Sequence, residues 1–233
     1  MWLAAIFFAL PASALLVRLL LGVHIAAGSI ALLAGLVPIL GRKGGRWHVR
    51  AGRLYTACMG VVAATAVALS AVQPLTQGRL FLAGVAVLSF YLGFTGWRAA
   101  RRHSAAPTTL DKALAAGALV VGVVMISAGL RLPAILSAFF GGILCLFAGL
   151  DTWQAVSFRF AAPPHPWMLR HFTRLGGSYI SATTAFIVVN LGRWLPADSP
   201  AWLGLAGWLL PTFIGSYLIA RTVRQRRAQL PVS

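Results

Sequence analysis

Residues 113–130 read ALAAGALVVGVVMISAGL, eighteen positions without a charge, set between Asp111-Lys112 and Arg131. As a helix rising about 1.5 Å per residue, such a run covers about 27 Å, close to the ~30 Å hydrocarbon core of a bilayer. The run has no period-2 alternation, so a membrane β-strand is excluded and a helix is the remaining way to satisfy its backbone in lipid. Similar runs recur outward in both directions, and seven spans are predicted at 15–40, 52–73, 79–98, 112–130, 133–156, 172–192 and 201–220. The composition agrees. Hydrophobic residues make up 59% and charged residues only 10% of the 233 positions, where a soluble domain carries about 25% charged. These observations exclude a soluble enzyme, a disordered chain and a disulfide scaffold. They predict an all-α, polytopic membrane bundle forming a single integral membrane domain over 1–233.

The net charge of +17 arises from 20 Lys and Arg against 3 acids, a balance that in a soluble protein would suggest nucleic-acid binding. The positions of the charges give a different reading. Arg42, Lys43, Arg46, Arg50 and Arg53 follow the first span; Arg98, Arg101, Arg102 and Lys112 follow the third. Arg159, Arg170 and Arg174 follow the fifth, and Arg221, Arg224, Arg226 and Arg227 the seventh. The opposite side holds only Arg18, Arg79, Arg131 and Arg193. By the positive-inside rule the amino terminus lies outside and the carboxyl terminus in the cytoplasm. The basic inner face is suited to anionic lipid headgroups, and a membrane-protein partner or a homo-oligomer is compatible with it.

Met1–Ala14 is apolar but lacks the basic region that opens a secretory signal, so it is read as an interfacial or inserted extension of the first span. Cys58 and Cys145 fall inside spans and are expected to pack as small hydrophobes. His24 is the one histidine well inside a span. It shares a helical stripe with Gly28, Ala31 and Gly35, small residues that let a neighbouring helix approach, so it should face protein. An ionisable group at that depth is either functional or a neutral imidazole bonded to the next helix. His48 begins a face with Gly52, Tyr55 and Met59 at the start of span two; His171 begins one with Leu175, Ser178, Ala182 and Ala185 at the start of span six. Two imidazoles at matching depth could hold a transition metal or haem b, or simply line the headgroup interface. Asp151, on the same side, could orient such a histidine or pair with a nearby cation. Asp111 could pair likewise or serve the first turn of span four. Asn190 is the polar residue nearest the outer level of His24. His103 and His165 read as solvated loop residues.

Walker-type phosphate loops, His-Glu-x-x-His, Cys-x-x-Cys and Gly-x-Ser-x-Gly are all absent from the sequence, which removes nucleotide hydrolysis, standard zinc sites and a serine-hydrolase elbow. Spans one to three and five to seven enter with the same polarity, an arrangement known in transporters. In-span glycines (Gly117, Gly122, Gly129, Gly141, Gly142, Gly149) suit either transport or close packing.

His24-x-x-x-Gly28, Trp47-His48-x-x-x-Gly52-Arg53-x-Tyr55 and Trp167-Met168-x-Arg170-His171 leading to Thr183-Thr184-Ala185-Phe186-Ile187-Val188-Val189-Asn190 together resemble a family of bacterial predicted membrane proteins of unknown function. The resemblance covers spans one, two and six. It implies an inner-membrane location and directs attention to His24, His48 and His171, but it implies no activity. Three expectations follow: a protein binding haem or a metal through His48, His171 and His24, supported by Asp151, Tyr55 and Asn190; a permease for a small anionic or neutral solute; or an accessory subunit of a membrane complex.

Overall fold

A computed structural model describes residues 12–103, 106–131, 134–156, 166–196, 198–200 and 202–228. These residues form seven helices and no strand: α1 Ala12–Leu40, α2 Arg46–Val72, α3 Gln77–Arg102, α4 Thr109–Arg131, α5 Ile135–Val156, α6 Pro166–Trp194 and α7 Trp202–Ala228. All seven are long and apolar enough to cross a membrane, so the chain has the build of a multi-pass membrane protein. Residues 1–11 and His165 lie outside the described residues.

The helices run further than their apolar runs. α2 begins at Arg46, six residues before the predicted span, and α7 continues through Arg221, Arg224, Arg226 and Arg227. Arg is a strong helix former, and a basic turn can leave the hydrocarbon without breaking the backbone ladder. Consequently His48 and His171 stand within helical turns, not in loops.

The ends are built from local signals. Gly44 takes φ +75° in the turn between α1 and α2, a conformation that suits glycine. Lys43 Nζ donates to the Pro38 and Ile39 carbonyls at 2.6 Å each, satisfying the last turn of α1. Thr108 and Asp111 make a reciprocal cap at the start of α4: Asp111 N donates to Thr108 Oγ1 at 3.3 Å and Thr108 N to Asp111 Oδ2 at 2.8 Å. Arg98 Nε joins Asp111 Oδ1 at 2.6 Å, so this acid serves both roles read from the sequence.

The chain divides into two compact units, with the division inside α3 between Ala86 and Val87. In the first unit α1 packs on α2. Ala27, Ala31 and Ala34 form the buried line of α1, and a Cβ at Gly28 would sit 3.9 Å from Val62. Exposed Leu19, Val23, Ile25 and Leu33 cover the rest of α1, as expected for a surface facing lipid chains.

In the second unit α4 packs on α5 and α6 on α7. A Cβ at Gly122 would fall 2.5 Å from Cys145 Sγ, one at Gly141 2.8 Å from the Gly122 carbonyl, and one at Gly129 2.5 Å from Ala138 N. Three of the glycines that suited either transport or packing are therefore packing glycines. Gly117, Gly142 and Gly149 meet open space.

Candidate functional site

The second unit concentrates its buried charge where α3, α5 and α6 supply one residue type each. On α5, Phe147, Asp151 and Gln154 fall at i, i+4 and i+7 and share a face. On α6, Arg170 and Arg174 are one turn apart. Both arginines converge on a single atom: Arg170 Nη2 and Arg174 Nη2 donate to Asp151 Oδ1 at 2.8 and 2.6 Å. Tyr91 of α3 donates its hydroxyl to Asp151 Oδ2. Arg174 Nη2 also reaches the Phe147 carbonyl at 3.2 Å, and Arg170 Nη1 reaches Gln154 Oε1 at 3.0 Å. The Arg174 guanidinium carbon lies 4.5 Å from the Phe147 ring centroid and 5.7 Å from that of Tyr91, in range for cation–π attraction to both.

Exposure is graded through this cluster. The Arg170 side chain is 35% exposed, Asp151 7% and Arg174 5%. Two guanidinium groups against one carboxylate leave a surplus of one positive charge. Burying charge is costly unless it is paired, and a membrane interior makes it costlier. Two donors are also left over: Arg174 Nη1 and Arg170 Nε are buried and have no hydrogen-bond partner among the described residues.

From Arg174 the buried line of α6 continues through Ser178, Ser181 and Thr184. The steps from Arg170 are four, four, three and three residues, a single helical face. The line spans fourteen residues, about 21 Å of axial rise. α3 lines it with hydroxyls and carbonyls: Ser89 Oγ donates to Ser181 Oγ at 2.7 Å, and Ser178 Oγ to the Ser89 carbonyl at 2.5 Å. Thr184 is fully buried, with Oγ1 unpartnered among the described residues. The close approach of α3 and α6 depends on Gly96, where a Cβ would fall 2.8 Å from Arg174 Cβ and 3.0 Å from Leu175 N.

The residues singled out from sequence meet different fates. Asp151 is paired with cations and a tyrosine, and among the described residues it orients no histidine. His171 Nδ1 lies 3.0 Å from the Gly96 carbonyl; a carbonyl only accepts, so Nδ1 carries a proton. The buried line of α6 is the Arg174–Ser178–Ser181–Thr184 line, rotated from the face through Ala182 and Ala185 that sequence spacing suggested. Asn190 bonds to its own helix, donating to the Phe186 carbonyl at 2.8 Å and accepting from Arg193 at 2.6 Å.

In the first unit His24 Nδ1 lies 2.9 Å from Thr65 Oγ1. The Thr65 hydroxyl proton is committed to the Val61 and Val62 carbonyls, so His24 is the donor. His24 thus bonds to the neighbouring helix α2, the contact that one of its two readings expects. His48 is half-buried and heads the face on which Tyr55 and Met59 are buried, matching the predicted stripe. His48 and His24 belong to the first unit and His171 to the second. His103 is exposed, its ring edge-on to Trp167 at 4.6 Å. Among the described residues no three His, Cys, Asp or Glu side chains are grouped to hold a metal.

Arg174 and Tyr91, with Arg170, are members of the site that sequence reading missed. Arg174 was counted with the topology-setting cations, and Tyr91 sits in the apolar run Phe90-Tyr91-Leu92. The signal for the first was the Arg-x-x-x-Ser-x-x-Ser-x-x-Thr spacing from 174 to 184. A shallow depression of about 270 Å³ between the end of α6 and the start of α7, lined by Val188, Leu191, Pro196 and Leu203 among others, contains no charged residue. No family model matches the chain, and neither a curated protein nor a solved structure is detectably similar to it.

Proposed function

We propose that this multi-pass membrane protein is a permease of the bacterial cytoplasmic membrane for a small anionic solute, with the polar line of α6 as one wall of its path. The observation that carries the reading is the continuity of that line, from part-exposed Arg170 to buried Thr184, inside a helix otherwise suited to lipid. Ionisable groups at membrane depth are rare, and by default they mark solute or ion pathways. The surplus positive charge selects the sign of the solute. The charge imbalance along the chain supports a cytoplasmic location for the Arg170 end, where a basic face would also meet anionic lipid headgroups.

Proteoliposomes containing the full chain test this. Acetate or phosphate should cross faster than in empty vesicles, and Ser178→Ala, which removes a hydroxyl while nearly keeping volume, should slow the flux. A folded protein that moves no small anion from formate to phosphate would sink the proposal.

A second reading, haem b or a transition metal held by His171, has one observation in its favour. The Gly96 carbonyl accepts from His171 Nδ1, the kind of contact that orients ligating imidazoles. Oxidised and dithionite-reduced absorption spectra of purified protein decide it: a Soret band that shifts on reduction supports haem, and a colourless, metal-free sample removes both.

A further inference from the structure

We propose that Arg170 Nε and Arg174 Nη1 form a binding site for a small monovalent oxyanion, a carboxylate or a monoanionic phosphate. The inference rests on the permease reading for its purpose and adds to it the class of solute and the atoms that hold it. Four observations converge. The two guanidinium groups meet at one oxygen, Asp151 Oδ1, so their remaining donors belong to one neighbourhood. Those donors are buried and unpartnered among the described residues, and a buried N–H without an acceptor is costly. The cluster carries one positive charge in excess. No other described acid of this unit balances it: Asp111 is held by Arg98 and Thr108, and Asp198 follows α6 at its far end.

An oxyanion satisfies all of these at once. Its oxygens accept from the two N–H groups in charge-assisted bonds, the geometry at which arginine excels, and its single charge neutralises the set. Chloride supplies the charge but not the divergent acceptors. The exposure gradient sets the order of contact, since an anion meets part-exposed Arg170 before reaching Arg174. Asp151 is then a resident competitor. It holds the same two guanidinium groups through their Nη2 atoms and, by its charge, keeps the site from holding its ligand too tightly to release it.

The test uses the full chain in a zwitterionic detergent, delipidated, with thermal unfolding and calorimetric titration at constant ionic strength. Sodium acetate or sodium phosphate should stabilise saturably, and sodium chloride should not. Arg170→Gln, a change at a part-exposed side chain, should weaken the apparent Kd at least about tenfold, the loss expected for one charge-assisted hydrogen bond. Asp151→Asn should tighten binding, because it removes the competitor and raises the surplus to two. A purely structural ion pair predicts no such opposite movement of the two variants. Equal shifts with chloride, no saturable shift, or indifference to Arg170→Gln overturns the site. If Arg170→Gln does not fold, the wild-type preference for oxyanions over chloride decides.

A lipid source is distinguished by nanodiscs. If phosphatidylglycerol discs abolish the response to added phosphate while phosphatidylcholine discs preserve it, the site takes its phosphate from a headgroup. Binding without flux in proteoliposomes upholds the site and overturns the permease reading. Flux with no saturable binding does the reverse.

Discussion

Helix α5 meets its neighbours through two different chemistries. Against α4 it presents Gly141, which packs backbone to backbone with Gly122, and two neutral hydrogen bonds, from Ser137 Oγ to the Met125 carbonyl at 2.9 Å and from Cys145 Sγ to the Leu119 carbonyl at 3.9 Å. Against α6 it presents Asp151, gripped by two arginines. The α4–α5 contact demonstrates that this sequence joins membrane helices without any charge, using close approach and dispersion. The charges between α5 and α6 are thus a feature that the α4–α5 contact does without. That contrast is the physical basis for placing the site on the charged side of α5.

The comparison can be broken by single substitutions on each side, read as stability in mixed micelles titrated with SDS. The largest loss is expected for Asp151→Ala. It strands two buried or half-buried guanidinium groups and the Tyr91 hydroxyl, and removing one partner of a buried pair costs about 3–5 kcal/mol. Acetate or phosphate should restore part of the loss by replacing the missing charge. A loss under about 1 kcal/mol would mean that water reaches the cluster freely.

Gly141→Val should come next, at about 1–3 kcal/mol, the usual penalty for overfilling a packed contact. Backbone atoms of α4 stand within 3.0 Å of the new Cβ position, so α4 itself must shift. Gly142→Val, one residue along in open space, is the control and should be close to neutral. If both behave alike, the glycine contact is not what joins the pair.

A smaller effect is expected in the first unit, where the polar link between α1 and α2 is neutral. Thr65→Val keeps the shape but removes the acceptor for His24 Nδ1. The expected loss is about 0.6 kcal/mol, typical of interhelical hydrogen bonds in membranes. A loss several times larger would mark His24 as the centre of a wider buried network.

The same contrast explains what the sequence disclosed. Seven helices were legible because lipid demands long apolar runs, and residues 113–130 announce one without help from tertiary structure. Helix ends were less legible: at Arg46–Arg50 and Arg221–Arg227 charge stops the apolar run while the backbone ladder continues. The Gly141 contact and the Asp151 cluster both depend on partners on other helices, which no local pattern specifies. Asp151 drew attention because an acid near lipid is rare. Tyr91, sixty residues away, looked like packing, and Arg174 looked like one more inner-face cation. Only the three-dimensional meeting at Oδ1 separates Arg174 from the topology-setting arginines such as Arg224.

The sharpest test is expected from the double change Asp151→Leu with Arg174→Met. It removes the buried pair as a unit and leaves apolar side chains of similar reach, with the Met sulfur beside Phe147 and Tyr91 where sulfur–aromatic contact is favourable. Replacing a buried ion pair in this way is often neutral or stabilising, so the main cost left is the Tyr91 hydroxyl without its acceptor, about 1–2 kcal/mol, well below the loss expected for Asp151→Ala. Arg170 retains Gln154 and its part-exposed position. If the charges exist for a ligand, the double variant should be stable yet indifferent to acetate and phosphate. If they exist to hold α5 on α6, it should be at least as unstable as Asp151→Ala, because both helices then lose their attachment. The two explanations thus predict different stabilities for the double variant, nearer the parent in one case and at or below Asp151→Ala in the other, and unfolding the three side by side decides between them.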